Sequence, residues 1–331
     1  MAPVPATTEA PAGAQTDQPP RAGIEQKVVR LSAAAGRRVV EPDEEIQGSI
    51  GAGQLLPDEL LSVSGLGLQL TAEQAAILSR EEVASITAAG IRFEAVLEAG
   101  FAAHIATADD LTDPRITFIL HEMGEETRHQ RLFQRLLAQL DAKARSPFPV
   151  RLRRLGYRAA VEASIGNPAF FYVLVLAGEE IPDLFQKRAS EHPETDGFIR
   201  AVNKYHRMEE ARHLSFARAV FEEVWTKAQA FDRLLVRHVA PRLIRFMFDS
   251  MVDPGVYATI GLPAMSTWKA ANATPERQQF RHEATRPVLG VLLEAGALKG
   301  GRIPSSWRSL CGVGADGRAP LTGKLETHDR R

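Results

Sequence analysis

Cysteine is almost absent from this chain: Cys311 is the single one in 331 residues. That excludes an intramolecular disulfide, and it excludes an iron–sulfur cluster held by several thiolates of this chain. A reduced, cytoplasmic setting is the resulting expectation. An excess of either charge is also missing, because 40 Lys and Arg face 41 Asp and Glu for a formal charge of −1. Neither a nucleic-acid partner nor an anionic membrane is implied. Long apolar runs are missing too: the longest, AFFYVLVLA from Ala169 to Ala177, is far short of the roughly 20 residues that cross a bilayer, and reads as a buried helix. The N-terminal MAPVPATTEAPAGAQTDQPP has neither the basic start nor the apolar core of a secretory signal, and its composition predicts a disordered tail over 1–22. No segment alternates apolar and polar residues at period two, which removes strands from the expected architecture.

Helical patterns fill the remainder, with 23–310 expected as one domain and 311–331 as a flexible tail. Residues 23–80 mix short apolar runs with Gly and Pro and read as a loop-rich or locally helical lead-in. Four long patterns follow. The first covers about Arg80–Ala106, where Gly90 and Gly100 weaken its continuity. The second starts at Asp113 as N-cap with Pro114 in the first turn and runs to Leu140. The third opens on Asn167 and Pro168 in the same arrangement and runs to Ala189, with a bend expected at Pro182. The fourth covers Thr195–Lys227. Val150–Ile165 is a connecting helix or crossover, and further helices are predicted over Asp232–Met251 and Pro275–Ala297. The fold class is all-α, a four-helix-bundle core with additional helices.

One motif occurs twice: EETRH, Glu125–His129, and EEARH, Glu209–His213. At about 100° per residue, Glu126 and His129 share a helix face, as do His206, Glu210 and His213. Helical phase also says which way those faces point. Ile119, Met123, Phe133, Leu137 and Leu140 surround the direction of Glu126, and Ile199, Ala217, Phe221 and Val224 surround that of Glu210. The second Glu of each pair therefore points into the core. Glu125 and Glu209, about 100° away, fall on the flank, where they and Arg128 and Arg212 are expected as support. Carboxylates in the middle of an apolar stripe cost several kcal/mol unless a cation or proton neutralises them. Two Glu-x-x-His units plus one Glu from each of two other helices are what a bundle needs to hold two metal ions. The first helix offers Glu94, on a face with Val83, Thr87, Phe101 and Ile105, with Glu98 one turn on as the alternate. The third offers Glu179 or Glu180, which a helix apolar all round does not separate. His206, one turn before Glu210, would give one ion a second imidazole; the equivalent position in the first copy is Glu122, which fits a supporting acid, a substrate contact or a surface residue.

Taken in order, Glu, ExxH, Glu and HxxxExxH, carried by EETRH, AGEEIPD and HRMEEARH, resemble the ferritin-like diiron oxygenases of the p-aminobenzoate N-oxygenase (AurF-like) family over roughly residues 80–230. The resemblance implies that Glu94, Glu126, His129, Glu179, His206, Glu210 and His213 hold two iron ions, with manganese the secondary expectation. It favours Glu179 over Glu180. It further implies O2 activation and an amine, commonly an arylamine, as substrate. Because the sequence has no recognisable flavin or nicotinamide fold and too few cysteines for an iron–sulfur cluster, an external electron donor or reductase is expected, and a homodimer is the assembly to test. Rival readings are a diiron C–H hydroxylase or desaturase, a tyrosine-radical subunit using Tyr172 or Tyr205, and a non-catalytic iron-binding bundle.

Overall fold

A computed structural model of the chain describes residues 20–37 and 39–319. Most of the expected N-terminal tail, 1–19, and the C-terminal stretch 320–331 lie outside the described residues. Among the described residues there are helices, turns and loops and no strand. In chain order the helices are α1 (Pro20–Ala35), α2 (Pro42–Glu45), α3 (Ala72–Ala106), α4 (Pro114–Leu140), α5 (Val150–Gly166), α6 (Pro168–Glu191), α7 (Gly197–Lys227), α8 (Ala230–Leu234), α9 (Ala240–Ser250), α10 (Gly255–Ala258), α11 (Ala264–Ala273), α12 (Pro275–Glu294) and α13 (Ser305–Cys311). A π-helical turn, Leu235–Val239, joins α8 to α9, and two 3-10 turns, Asp58–Leu60 and Ser64–Leu66, precede α3.

The four long patterns become the bundle: α3 packs on α4 and α6 on α7, with α4 meeting α7 and α3 meeting α6 across the centre. Its centre is α6, in which every residue from Ala169 to Ile181 is buried. Each large apolar side chain buried there contributes about 1.5–3 kcal/mol. Two glycines set how closely the helices approach. A Cβ at Gly100 of α3 would fall 2.5 Å from the Phe171 ring, and one at Gly178 of α6 would fall 1.6 Å from Phe93. Gly90 and Gly100 therefore do not interrupt α3; absence of a side chain is what lets the aromatic rings of its neighbours pack against it.

The caps decide the helix ends. Asp113 accepts a hydrogen bond from Arg115 N at 2.8 Å, and Asp196 accepts from Phe198 N at 2.9 Å, so α4 and α7 start where Asx capping predicts. Asn167 does not cap α6. Its side chain donates back to Ala163 O, and the first amides of α6, on Ala169 and Phe170, donate instead to Asp232 at 3.0 and 2.8 Å. That long-range cap has no local signal. Pro182 lies within continuous α6 without ending it.

α3 begins eight residues before Arg80. A reciprocal capping box starts it, with Thr71 Oγ1 accepting from Gln74 N and Gln74 Oε1 accepting from Thr71 N. The lead-in expected to be loop-rich also contains α1, which packs on α4 and α7 with Val28 and Ala35 buried. On the other side α12 covers α6 and α13 covers α9 and α12. Cys311, where the flexible tail is expected to begin, closes α13 and is fully buried.

Candidate metal centre

Two bundle helices bring their repeated motifs face to face. Glu126 and His129 on α4, and Glu210 and His213 on α7, are at most 1% exposed. Their atoms interlock. His129 Nδ1 lies 3.2 Å from Glu126 Oε2 and 3.2 Å from Glu210 Oε1. His213 Nδ1 lies 3.1 Å from Glu126 Oε1 and 2.9 Å from Glu210 Oε2. Each of these two carboxylates thus spreads its oxygens across both imidazoles, the placement of a group that bridges two ions.

Around this square the other residues take sides. Glu94 of α3 and His206 of α7 approach the His129 side, with His206 Nε2 at 3.1 Å from Glu94 Oε1 and 3.5 Å from Glu210 Oε1. His206 Nδ1 is 3.0 Å from Gln186 Oε1 on α6, and its ring stacks on Phe133 at 5.0 Å. Glu179 of α6 is buried among the charges of Glu210, Glu126 and His213. All seven residues of the expected set are brought together. The alternates stand outside: Glu98 accepts hydrogen bonds from Thr127 and Gln130, and Glu180 pairs with Arg218. Asp183, three residues after Glu180, pairs with Arg207 at 2.7 Å.

The flanking residues have a more definite place than phase on one helix suggests. Glu125 and Glu209 are only 3% exposed, and they serve each other's histidine. His129 Nε2 lies 3.0 Å from Glu209 Oε2, and His213 Nε2 lies 2.8 Å from Glu125 Oε2. Tyr205 donates its hydroxyl to the same Glu209 oxygen at 2.9 Å. Arg128 and Arg212 sit between the two carboxylates, Arg212 at 2.9 Å from Glu125 and Arg128 at 3.5 Å from Glu209. With Nε2 protonated and held, each ring turns an Nδ1 lone pair inward, which is the usual support for a metal-binding histidine. A helix's own periodicity cannot show this crossing, because it depends on how α4 and α7 face each other.

Electrostatics follow from burial and crowding. Burial pushes the Glu94 and Glu179 carboxyls well above the usual carboxylate range, and the neighbouring Glu126 and Glu210 charges push the same way. Burial drives His206 down to about 4, with the charge on His129 adding to it. For His129 and His213 burial also lowers basicity, but the surrounding carboxylates outweigh it and hold both above the usual histidine range.

Does this donor set fit two metal ions? Three buried carboxylate oxygens, Glu94 Oε2 and both of Glu122, have no hydrogen-bond partner, and Glu126 Oε1 and Glu210 Oε1 face only imidazole nitrogens. Such atoms cost several kcal/mol each when left without a proton or cation. Three overlapping groups have donor atoms mutually within 4.8 Å: Glu94, His129 and His206; Glu126, His129 and Glu210; and Glu122, Glu126 and His213. Imidazole and carboxylate donors together suit iron and manganese. The fit is good, since both donor types bind metal in their deprotonated forms. Glu122, open between several roles from the sequence, is 1% exposed and belongs to the cluster.

Among the described residues no helix is long and apolar enough to cross a membrane. Uncharacterized proteins of Mycobacterium tuberculosis and Mycobacterium bovis are each 28% identical over 178 residues, 52% of this chain and 50% of theirs. The chain thus aligns with about half the length of these curated relatives. The family model described as P-aminobenzoate N-oxygenase AurF matches residues 28–296. With that match, an all-helical ferritin-like bundle and a buried carboxylate and histidine cluster at its centre, the chain belongs to the p-aminobenzoate N-oxygenase AurF family.

Proposed function

We propose that this protein is a non-haem diiron oxygenase that activates O2 and N-oxygenates an amine of arylamine type. The observation that carries the reading is the square of His129, His213, Glu126 and Glu210, in which each carboxylate reaches both Nδ1 atoms. Family membership supplies the reaction class.

In this reading Glu126 and Glu210 would serve both ions, Glu94, His129 and His206 would hold the first, and Glu179 and His213 would hold the second. Two irons held there supply the electrons and Lewis acidity needed to activate O2. The protein's own part is to orient and to exclude. Glu209 and Glu125 keep the Nε2 protons in place, and Arg128 and Arg212 offset the two buried charges. Phe133 against His206, and Tyr172 with Phe216 at 6.4 Å between ring centres, form apolar walls that keep water from the reactive side. Carboxylates suit the task because they can change binding mode as the charge of the centre changes. The proposal includes a cytoplasmic enzyme, a separate reductase or small-molecule donor for the electrons, and a homodimer as the assembly to look for.

The test is to load the full chain with Fe2+ under anaerobic conditions, add a chemical reductant, O2 and p-aminobenzoate, and identify products by mass. Hydroxylamino or nitro products are expected. Full iron loading with O2 consumption, yet only ring- or C–H-hydroxylated products across a panel of arylamines, would move the assignment to the hydroxylase class.

A further inference from the structure

Glu122 is absorbed by none of the roles above. It lies on α4 four residues before Glu126, as His206 lies on α7 four residues before Glu210. One helical turn separates each pair. The two helices run antiparallel, with Glu125 meeting His213 and His129 meeting Glu209, so the two side chains enter the cluster from opposite ends. His206 meets Glu94 on the His129 side. Glu122 falls on the other side, with a carboxylate oxygen grouped with donors of Glu126 and His213 within 4.8 Å.

Its surroundings offer nothing else to satisfy it. The side chain is 1% exposed and neither oxygen has a hydrogen-bond partner. The other buried glutamates of α4 differ: Glu125 holds His213 Nε2 and Glu126 meets both imidazoles. A buried carboxylate with two unpartnered oxygens, within 4.8 Å of donor atoms of Glu126 and His213, has the position of a ligand.

We propose that Glu122 is a terminal ligand of the second metal ion, on the His213 side. This rests on the metal-centre reading above and extends it from seven donor residues to eight. The centre then has approximate two-fold symmetry. The first ion takes His129, His206 and Glu94; the second takes His213, Glu122 and Glu179; Glu126 and Glu210 serve both. Counting one oxygen per carboxylate per ion, each has five protein donors, which leaves each one position of an octahedron for O2 or solvent. The symmetry is geometric and not chemical. Two imidazoles and one terminal carboxylate face the first ion, while one imidazole and two terminal carboxylates face the second, making the second side the harder and more anionic.

Anaerobic Fe2+ titration of the full ion-free chain, read by calorimetry and by iron content after desalting, tests this without turnover. Wild type should take two ions in two steps. Glu122→Gln keeps the shape and removes the charge; it should bind one ion as wild type does and the other about tenfold or more weakly. Glu122→His, which puts at this position the donor type found at 206, should recover most of the second step. Two ions bound by Glu122→Gln with wild-type affinities would overturn the proposal, as would equal weakening of both steps. If wild type itself takes up fewer than two ions, the metal-centre reading fails instead.

Discussion

Two stretches of α3 bury glutamate to the same degree and use it in opposite ways. Near the start of the helix, Glu81 and Glu82 are 4% and 1% exposed; three turns on, Glu94 is 3% exposed. Glu81 accepts hydrogen bonds from the amides of Lys143 and Ala144 at 2.6 and 3.0 Å. Glu82 accepts the Ser62 amide through both oxygens, at 3.1 and 3.0 Å, and the Ser62 hydroxyl, which lies 2.9 Å from Tyr257 Oη. These two carboxylates tie loops to the bundle. Glu94 meets only an imidazole, and its second oxygen has no partner. Burial of a carboxylate therefore says little by itself. What separates a structural glutamate from a metal-site glutamate is whether the protein supplies donors or leaves lone pairs converging on the same space.

The largest expected effect is at Glu210, the residue proposed to serve both ions. Glu210→Ala is expected to remove both ions, taking the iron content of the loaded protein from two per chain to near zero while the helical circular dichroism persists. Glu82→Ala should do the reverse. Two ions remain, but denaturant unfolding should show a loss of about 2–3 kcal/mol, because the Ser62 amide and hydroxyl are left unpaired and a void opens. Unchanged stability there would remove the structural half of the contrast.

Glu82 also predicts a pH dependence with a definite sign. Burial, partly offset by Ser62, raises its carboxyl from an ordinary 4.5 to about 7. A raised acid favours folding in its neutral form, so this contribution is full below about 4.5 and is lost as pH rises through about 7. Relative to Glu82→Gln, wild-type stability should fall by on the order of 1–3 kcal/mol between pH 4.5 and pH 8. A difference that is flat with pH would contradict the assignment.

Smaller changes sharpen the metal side. Glu125→Gln and Glu209→Gln each exchange the carboxylate that holds an Nε2 proton for an amide, and iron affinity should drop about 10–100-fold with both ions still able to bind. The crossed pattern adds a detail for site-resolved spectroscopy. Glu125→Gln should disturb the ion next to His213, on the other helix, rather than the one next to His129. Smallest of all is Glu98→Gln, where the partners are Thr127 and Gln130; iron content should not change and stability should stay within about 0.5 kcal/mol.

How much of this the sequence discloses depends on whether a signal is periodic or relational. Glu126, His129, Glu210 and His213 are readable because a 3.6-residue period puts them in the middle of apolar stripes on α4 and α7. His206 joins them on the same face. Glu179 and Glu180 cannot be separated that way, since α6 is buried on all sides from Ala169 to Ile181; contact with Arg218 is what sends Glu180 elsewhere. Glu125 and Glu209 look like flanking residues on isolated helices, and only the docking of α4 against α7 turns them toward each other's histidine. The Thr71 and Gln74 capping box was present in the sequence and would have moved the start of α3 to Ala72. The α6 cap by Asp232 and the loop ties of Glu81 and Glu82 link residues 20 or more positions apart, and no local pattern marks them.

The proposed seat of two divalent ions is the set of converging lone pairs at the bundle centre, and iron content combined with thermal unfolding of the full-length protein tests it most directly. Anaerobic addition of Fe2+ should saturate at two per chain and raise the unfolding temperature, because the ions bind the folded state and not the unfolded one. Saturation at zero or one ion, or two ions bound with no gain in stability, would contradict it.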